Sequence, residues 1–110
     1  MSFRHKAIGL LAVISAFSTI AFSAHADSLT RSFHVKRIFA QGTALAGFYT
    51  VEPLPECQWG IFYIDLENDT GRALYSAALT AKASNWKISH VTYTVSPTTG
   101  TCLTSSIHFE

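Results

Sequence analysis

The first 26 residues have the three parts of a secretory signal peptide, so only residues 27–110 are expected to form a folded domain. A basic start at Arg4–Lys6 precedes an apolar run over 7–22 and a small-residue cleavage signature, A-x-A, at 24–26. A retained membrane anchor is the alternative, but this run is shorter than the roughly 20 apolar residues that a spanning helix needs. We therefore expect a secreted or periplasmic protein with no membrane span once the leader is removed.

Composition excludes two classes of protein. The net charge is only +1 and the Lys and Arg residues are not clustered, whereas nucleic-acid-binding proteins show basic patches. Hydrophobic residues make up 48% of the chain, which excludes an intrinsically disordered polypeptide. A length of 110 residues leaves room for one small domain, so we expect a single domain and no nucleic-acid partner.

Cys57 and Cys102 are the only cysteines, and both follow the leader. In a small exported domain such a pair usually forms one intramolecular disulfide. In the chain-entropy model, closing a loop of this length stabilises the fold by about 4 kcal/mol, a large part of a small domain's stability. A redox or metal-binding pair is the alternative, but the chain has no C-x-x-C motif.

The apolar spacing after the leader predicts five strands and one helix. Alternating and β-branched stretches indicate strands, and helical spacing replaces the alternation after residue 70. In the first strand, Phe33, Val35 and Phe39 are expected to share one face. The predicted elements are strands over 32–39, 44–51 and 57–66, a helix over about 70–84, and strands over 86–95 and 101–109.

This order of elements is that of a small five-stranded OB-type barrel whose helix lies between strands three and four. A ferredoxin-like fold would need a helix between strands one and two. An immunoglobulin-like sandwich would need about seven strands and no long helix. We therefore expect a mainly β, α+β protein: a five-stranded OB-like barrel over residues 27–110 with the order β-β-β-α-β-β and one disulfide.

One block of sequence resembles a known group of proteins. The helix pattern R-A-x-x-x-x-x-L-x-A-K-A-S over 72–84, the Gly-x-Cys at 100–102 and the earlier Cys57 resemble small exported bacterial proteins. The architecture is similar to the B subunits of pentameric bacterial toxins, especially the subtilase cytotoxin B-like class. The resemblance implies a ring of subunits and a surface that binds host glycans. It does not assign a glycan-contacting role to any residue of this chain.

Three histidines follow the leader, and none has the spacing of a metal site. His34, His90 and His108 come from three different predicted strands, and His34 and His108 lie opposite the main apolar residues. Solvated strand histidines are the expected role, so we predict no metal and no cofactor.

Asp65, Glu67 and Asp69 form an acidic cluster where the third strand meets the helix. Catalysis or calcium binding is one interpretation, but EF-hand spacing is absent. Helix capping and compensation of the helix dipole is the favoured one. No G-x-S-x-G motif is present either, so we predict no catalytic residue and no enzyme.

The aromatic residues are the most suggestive feature for function. Strand alternation cannot bury Trp59 and Phe62 on the same face of one strand. One of the two is therefore expected under the helix, against another subunit, or free to stack on a sugar ring. Core or subunit packing is the favoured role for most of the aromatic side chains.

These observations favour an exported, non-enzymatic binding module whose partner is a glycan or a protein and which self-assembles as a toxin B subunit does. One alternative is a small periplasmic enzyme or inhibitor that uses the acidic cluster or a strand histidine. Another is a structural envelope protein. The sequence leaves the ligand-binding residues unassigned.

Overall fold

A computed structural model describes residues 25–110, so the predicted leader lies outside the described residues except for its last two positions. One helix and six strands account for most of this part of the chain. They are β1 (His25–Leu29), β2 (Val35–Gln41), β3 (Leu45–Thr50), β4 (Ile61–Asp65), α1 (Asp69–Ser84), β5 (Ile88–Val95) and β6 (Cys102–Phe109). Within the described residues, no helix has the length and apolarity to cross a bilayer.

The strands form one mixed sheet in the order β1-β5-β6-β4-β3-β2. Every neighbouring pair is antiparallel except β4 and β6, which run parallel. The mainly β class, the single helix and the disulfide are thus confirmed. The predicted number of five strands is wrong, because β1 pairs along β5 from His25 opposite Val95 to Leu29 opposite Val91. Its five residues include one large apolar side chain, too weak a pattern to predict a strand.

The sheet is open rather than closed into the predicted barrel. Among the described strands, β1 and β2 form its two edges. Besides the β4–β6 pairing, one isolated bridge joins the two halves of the sheet: Phe33, just before β2, donates its N–H to the carbonyl of Ile88 at 2.9 Å and accepts the Ile88 N–H at 2.8 Å. The contact brings β2 and β5 together at one point and does not extend into a ladder.

The predicted face of Phe39 is wrong because β2 contains a register shift. The shift lies between Val35 and Arg37, so the strand alternation changes phase there. Phe33 and Val35 face the core as predicted, but Ile38 takes the next core-facing position. Phe39 therefore lies on the opposite face of the sheet.

Phe62 lies at the centre of the hydrophobic core. Its ring is 5.8 Å from that of Phe33, 5.4 Å from that of Phe48 and 5.6 Å from that of Tyr93, measured between centroids. Helix α1 covers the same face of the sheet and buries Leu74, among others. One layer of helix therefore packs on one face of the sheet, and the other face is left to solvent.

Helix α1 begins and ends at polar residues, as the sequence predicts. The Asn68 side chain accepts the Gly71 N–H at 2.7 Å, and Asp69 adds negative charge to the first turn. Asn85 ends the helix in the left-handed conformation, with φ 54°. The predicted helix over about 70–84 is confirmed to within one residue.

Gly71 allows this helix start to lie directly against the end of β4. A Cβ atom at position 71 would lie 1.5 Å from the Asp65 carbonyl oxygen, far inside van der Waals contact. Replacing glycine by alanine in a helix ordinarily gains about 1 kcal/mol. Here the backbone would have to move, so Gly71→Ala is expected to lower the free energy of unfolding by about 1–3 kcal/mol.

Urea denaturation followed by circular dichroism measures this effect. Ala73→Gly, on the exposed face of the same turn, is the matched control and is expected to cost about 1 kcal/mol through helix propensity alone. A Gly71→Ala protein more stable than the unmodified chain would contradict the close contact.

Candidate functional site

A groove of about 570 Å³ opens on the face of the sheet that the helix does not cover. It lies above the junction of β4 and β6, where the two parallel strands share only the pairs Phe62–Cys102 and Tyr63–Leu103. We call it the Trp59 groove. Its lining residues are Leu45, Trp59, Tyr63, Thr94, Ser96, Pro97, Thr99, Thr101, Cys102 and Leu103.

Trp59 is the most exposed large aromatic residue of the groove, with 65% of its surface accessible. It precedes β4 in a single 3-10 turn, Gln58–Gly60, rather than inside a strand as predicted. Phe62 is fully buried, so Trp59 is the member of the predicted pair that stays outside the core.

The backbone of Trp59 is in the left-handed region, with φ 60°. Only Trp59 and Asn85 among the described non-glycine residues have positive φ. For a side chain with a Cβ atom this conformation costs roughly 1–2 kcal/mol. Strained residues of this kind occur most often where a side chain must be presented for function.

Three contacts hold the turn that carries Trp59. The Cys57–Cys102 disulfide, with 5.4 Å between the Cα atoms, joins its start to β6. The Gln58 N–H donates to the Gly100 carbonyl at 3.0 Å, and the Gly60 N–H donates to the Cys57 carbonyl at 3.0 Å. The backbone of the turn is therefore fixed relative to the loop between β5 and β6, which forms the opposite wall.

That wall includes the hydroxyl-bearing residues Ser96, Thr99 and Thr101, although most of the groove surface is apolar. Ser96 Oγ accepts the Thr99 N–H at 3.3 Å, and the hydroxyls of Thr99 and Thr101 lie 2.9 Å apart. A hydroxyl both donates and accepts, so such a wall can bind another hydroxyl in either role. None of the ten lining residues is charged.

An aromatic row extends from the groove across the same face towards the β2 edge. The Phe39 ring lies 5.9 Å from the Tyr63 ring and 5.9 Å from the Tyr49 ring, and the Arg37 guanidinium lies 4.3 Å from the centroid of Tyr49. A Cβ atom at Gly47 would come within 2.8 Å of the Phe39 ring, so glycine makes room for it. The row continues the apolar floor of the groove at Tyr63.

The acidic cluster is used locally at the helix start. Asp65 accepts the Glu67 N–H at 2.8 Å and the Asn68 side-chain amide at 3.3 Å, while Asp69 pairs with Arg72. Asp69 lies in the first turn, as predicted for compensation of the helix dipole, but the capping side chain is that of Asn68 rather than one of these carboxylates. None of the three carboxylates lines the Trp59 groove.

Two ion pairs tie the segment before β2 to the loop after β3. Arg31 donates to both carboxylate oxygens of Glu56, at 2.7 and 2.9 Å, and this hydrogen bonding lowers the pKa of Glu56. Burial raises the pKa of Glu52, but the hydrogen bonds from the His34 ring and N–H, both 2.7 Å, outweigh it and lower the pKa overall. Both carboxylates thus stabilise the fold above their unfolded pKa, and the contribution disappears as pH falls through the lowered folded values.

The other two histidines considered in the sequence, His90 and His108, are neighbours in the sheet. His90 on β5 lies opposite His108 on β6, with 5.1 Å between the ring centroids. Among the described residues there is no group of three or more His, Cys, Asp or Glu side chains arranged to hold a metal. His34 lies apart from this pair, bound to Glu52.

Several groove residues were not among the predicted candidates. Leu45, Thr94 and Leu103 reach the site because strands distant in sequence meet at the β4–β6 junction. Their proximity depends on the strand order, and the outward position of Leu103, predicted to share a face with Ile107 and Phe109, results from the register shift between Thr92 and Tyr93.

Comparison of the chain with family models, with curated proteins and with solved structures finds no match.

The backbone strain at Trp59 predicts an unusual order of stability. Trp59→Gly and Trp59→Ala both remove the exposed indole, but only glycine adopts the left-handed conformation without strain. The glycine variant is expected to be more stable than the alanine variant by about 1 kcal/mol in chemical denaturation.

Trp86 supplies the matched control. It is 47% exposed and has no positive φ, so Trp86→Gly is expected to be no more stable than Trp86→Ala. An alanine variant at position 59 as stable as the glycine variant would contradict the strain.

Proposed function

We propose that this protein is an exported, non-enzymatic module that binds an uncharged glycan in the Trp59 groove. The observation that carries the proposal is the exposed Trp59 indole, carried on a strained backbone beside a mostly apolar groove whose far wall includes Ser96, Thr99 and Thr101. The disulfide supports export, because such bonds persist in oxidising compartments.

The chemistry of the groove matches that of a neutral sugar. A pyranose ring has an apolar C–H face that packs on an aromatic side chain, and Trp59 and Tyr63 supply such surfaces. The hydroxyls of Ser96, Thr99 and Thr101, which also bond one another and the loop backbone, supply a smaller polar contact for the sugar hydroxyls. A sialic acid carboxylate would find no cation among the lining residues, so the proposal is restricted to uncharged glycans.

The arrangement of the strands supports an OB-like barrel as the scaffold. Leaving out β1, the sheet order is β5-β6-β4-β3-β2, and the Phe33–Ile88 bridge brings its two outer strands together. OB folds are partly open five-stranded barrels that use one sheet face and its loops for oligosaccharides and oligonucleotides. This agrees with the resemblance to toxin B subunits.

A glycan array followed by calorimetric titration tests the proposal. The full chain is expected to bind neutral glycans and not their sialylated counterparts. Trp59→Ala is expected to weaken binding about tenfold or more, because loss of an aromatic stacking partner costs on the order of 1.4 kcal/mol.

Trp86→Ala is the control, since this exposed tryptophan packs beside Phe109 and does not line the groove. Its affinity is expected to equal that of the unmodified chain. Binding that survives Trp59→Ala, or that is confined to acidic glycans, would exclude the proposed site.

We also propose that copies of the chain assemble through their sheet edges. β1 and β2 end the sheet, and their outer edges face no further strand within the described chain. Removal of the predicted leader leaves residues 27–29 of β1 for this contact. Pairing the β1 edge of one copy with the β2 edge of the next is a heterologous contact, the kind that closes into a ring.

Light scattering coupled to size-exclusion chromatography measures the assembly. A defined oligomer of several copies is expected at micromolar concentration. The mass of a single chain over the whole concentration range would refute edge-to-edge assembly and leave the glycan proposal to its own test.

A further inference from the structure

We infer that His90 and His108 form a binding site for a divalent transition-metal ion on the outer face of the sheet. The two residues are register partners on β5 and β6, with His108 exposed and His90 half-buried. Neither lines the Trp59 groove, so the inference is independent of the proposed glycan site.

The separation of the two rings suits coordination of one ion. A metal–nitrogen distance of about 2.1 Å plus roughly 1.1 Å to the ring centre puts each centroid about 3.2 Å from the ion. At a tetrahedral angle of about 109°, the two centroids then lie about 5.2 Å apart. The observed separation is 5.1 Å.

The position of the pair in the sheet favours this geometry. Directly opposed side chains on antiparallel strands have Cβ atoms only about 5 Å apart, and the ladder fixes their register. The two imidazoles are therefore held side by side before an ion arrives. Such preorganisation reduces the entropy that binding would otherwise cost.

The ligand chemistry defines the class of ion. Neutral imidazole nitrogens suit Zn²⁺, Ni²⁺ and Cu²⁺, whereas Ca²⁺ and Mg²⁺ need oxygen ligands. The neighbouring hydroxyl of Thr92 is already hydrogen-bonded to Ser105 and Ser106, at 2.8 and 2.6 Å. Glu110, beyond His108 on β6, is paired with Lys87 at 3.1 Å. Two coordination positions would therefore stay open to water or to an external donor.

Calorimetric titration of the full chain with zinc chloride tests the site, using protein without a polyhistidine tag. One bound ion is expected per chain. His90→Ala and His108→Ala are each expected to weaken binding at least about tenfold, since even outer-shell partners of metals contribute that much. His34→Ala is the matched control, because that ring is held by Glu52 at a separate place, and it is expected to keep the full affinity.

A second measurement covers the case in which an alanine variant does not fold. Copper bound to the unmodified chain is expected to show coupling to two imidazole nitrogens in its paramagnetic resonance spectrum, and His108→Asn is expected to leave one. Absence of zinc binding would overturn the inference. So would an affinity in the His90→Ala and His108→Ala proteins equal to that of the unmodified chain, or loss of binding only in His34→Ala.

Discussion

The covalent bond between Cys57 and Cys102 reinforces the weakest junction of the sheet. Strands β4 and β6 share only two register pairs. Among the described residues, the Phe33–Ile88 bridge is the only other strand pairing between the β2–β4 half of the sheet and the β5–β6 half. The disulfide lies at this junction and adds stabilisation of about 4 kcal/mol in the chain-entropy model. The same bond positions the turn that presents Trp59, so the stability of the sheet and the shape of the groove depend on one constraint.

Local signals in the sequence were sufficient for most of the fold. The helix is defined by its own spacing and by the end signals at Asn68 and Asn85, so its bounds were predicted closely. Two features, β1 and the register shift in β2, could not be predicted from local sequence patterns. β1 is stabilised by its long-range pairing with β5, and the register shift after Val35 reverses the faces of the residues that follow.

The candidate sites were less predictable because they depend on strand neighbours. Alternation within one strand predicted that Trp59 and Phe62 could not both be buried on one face, but the indole is exposed because Trp59 lies in the turn before β4. The partners of Trp59 across the groove come from the loop after β5, which only the strand order brings near. Likewise, His90 and His108 are 18 positions apart in the chain and become neighbours only through the β5–β6 register.

Having two cysteines and no more simplifies oxidative maturation. Within one chain only one pairing exists, so no scrambled isomer can form and no reshuffling by a disulfide isomerase is required. The remaining incorrect product is a bond between two different chains, which becomes more frequent as the concentration of unfolded protein rises. Yield of the native protein should therefore depend on dilution during refolding far more than on the redox buffer's capacity to rearrange bonds.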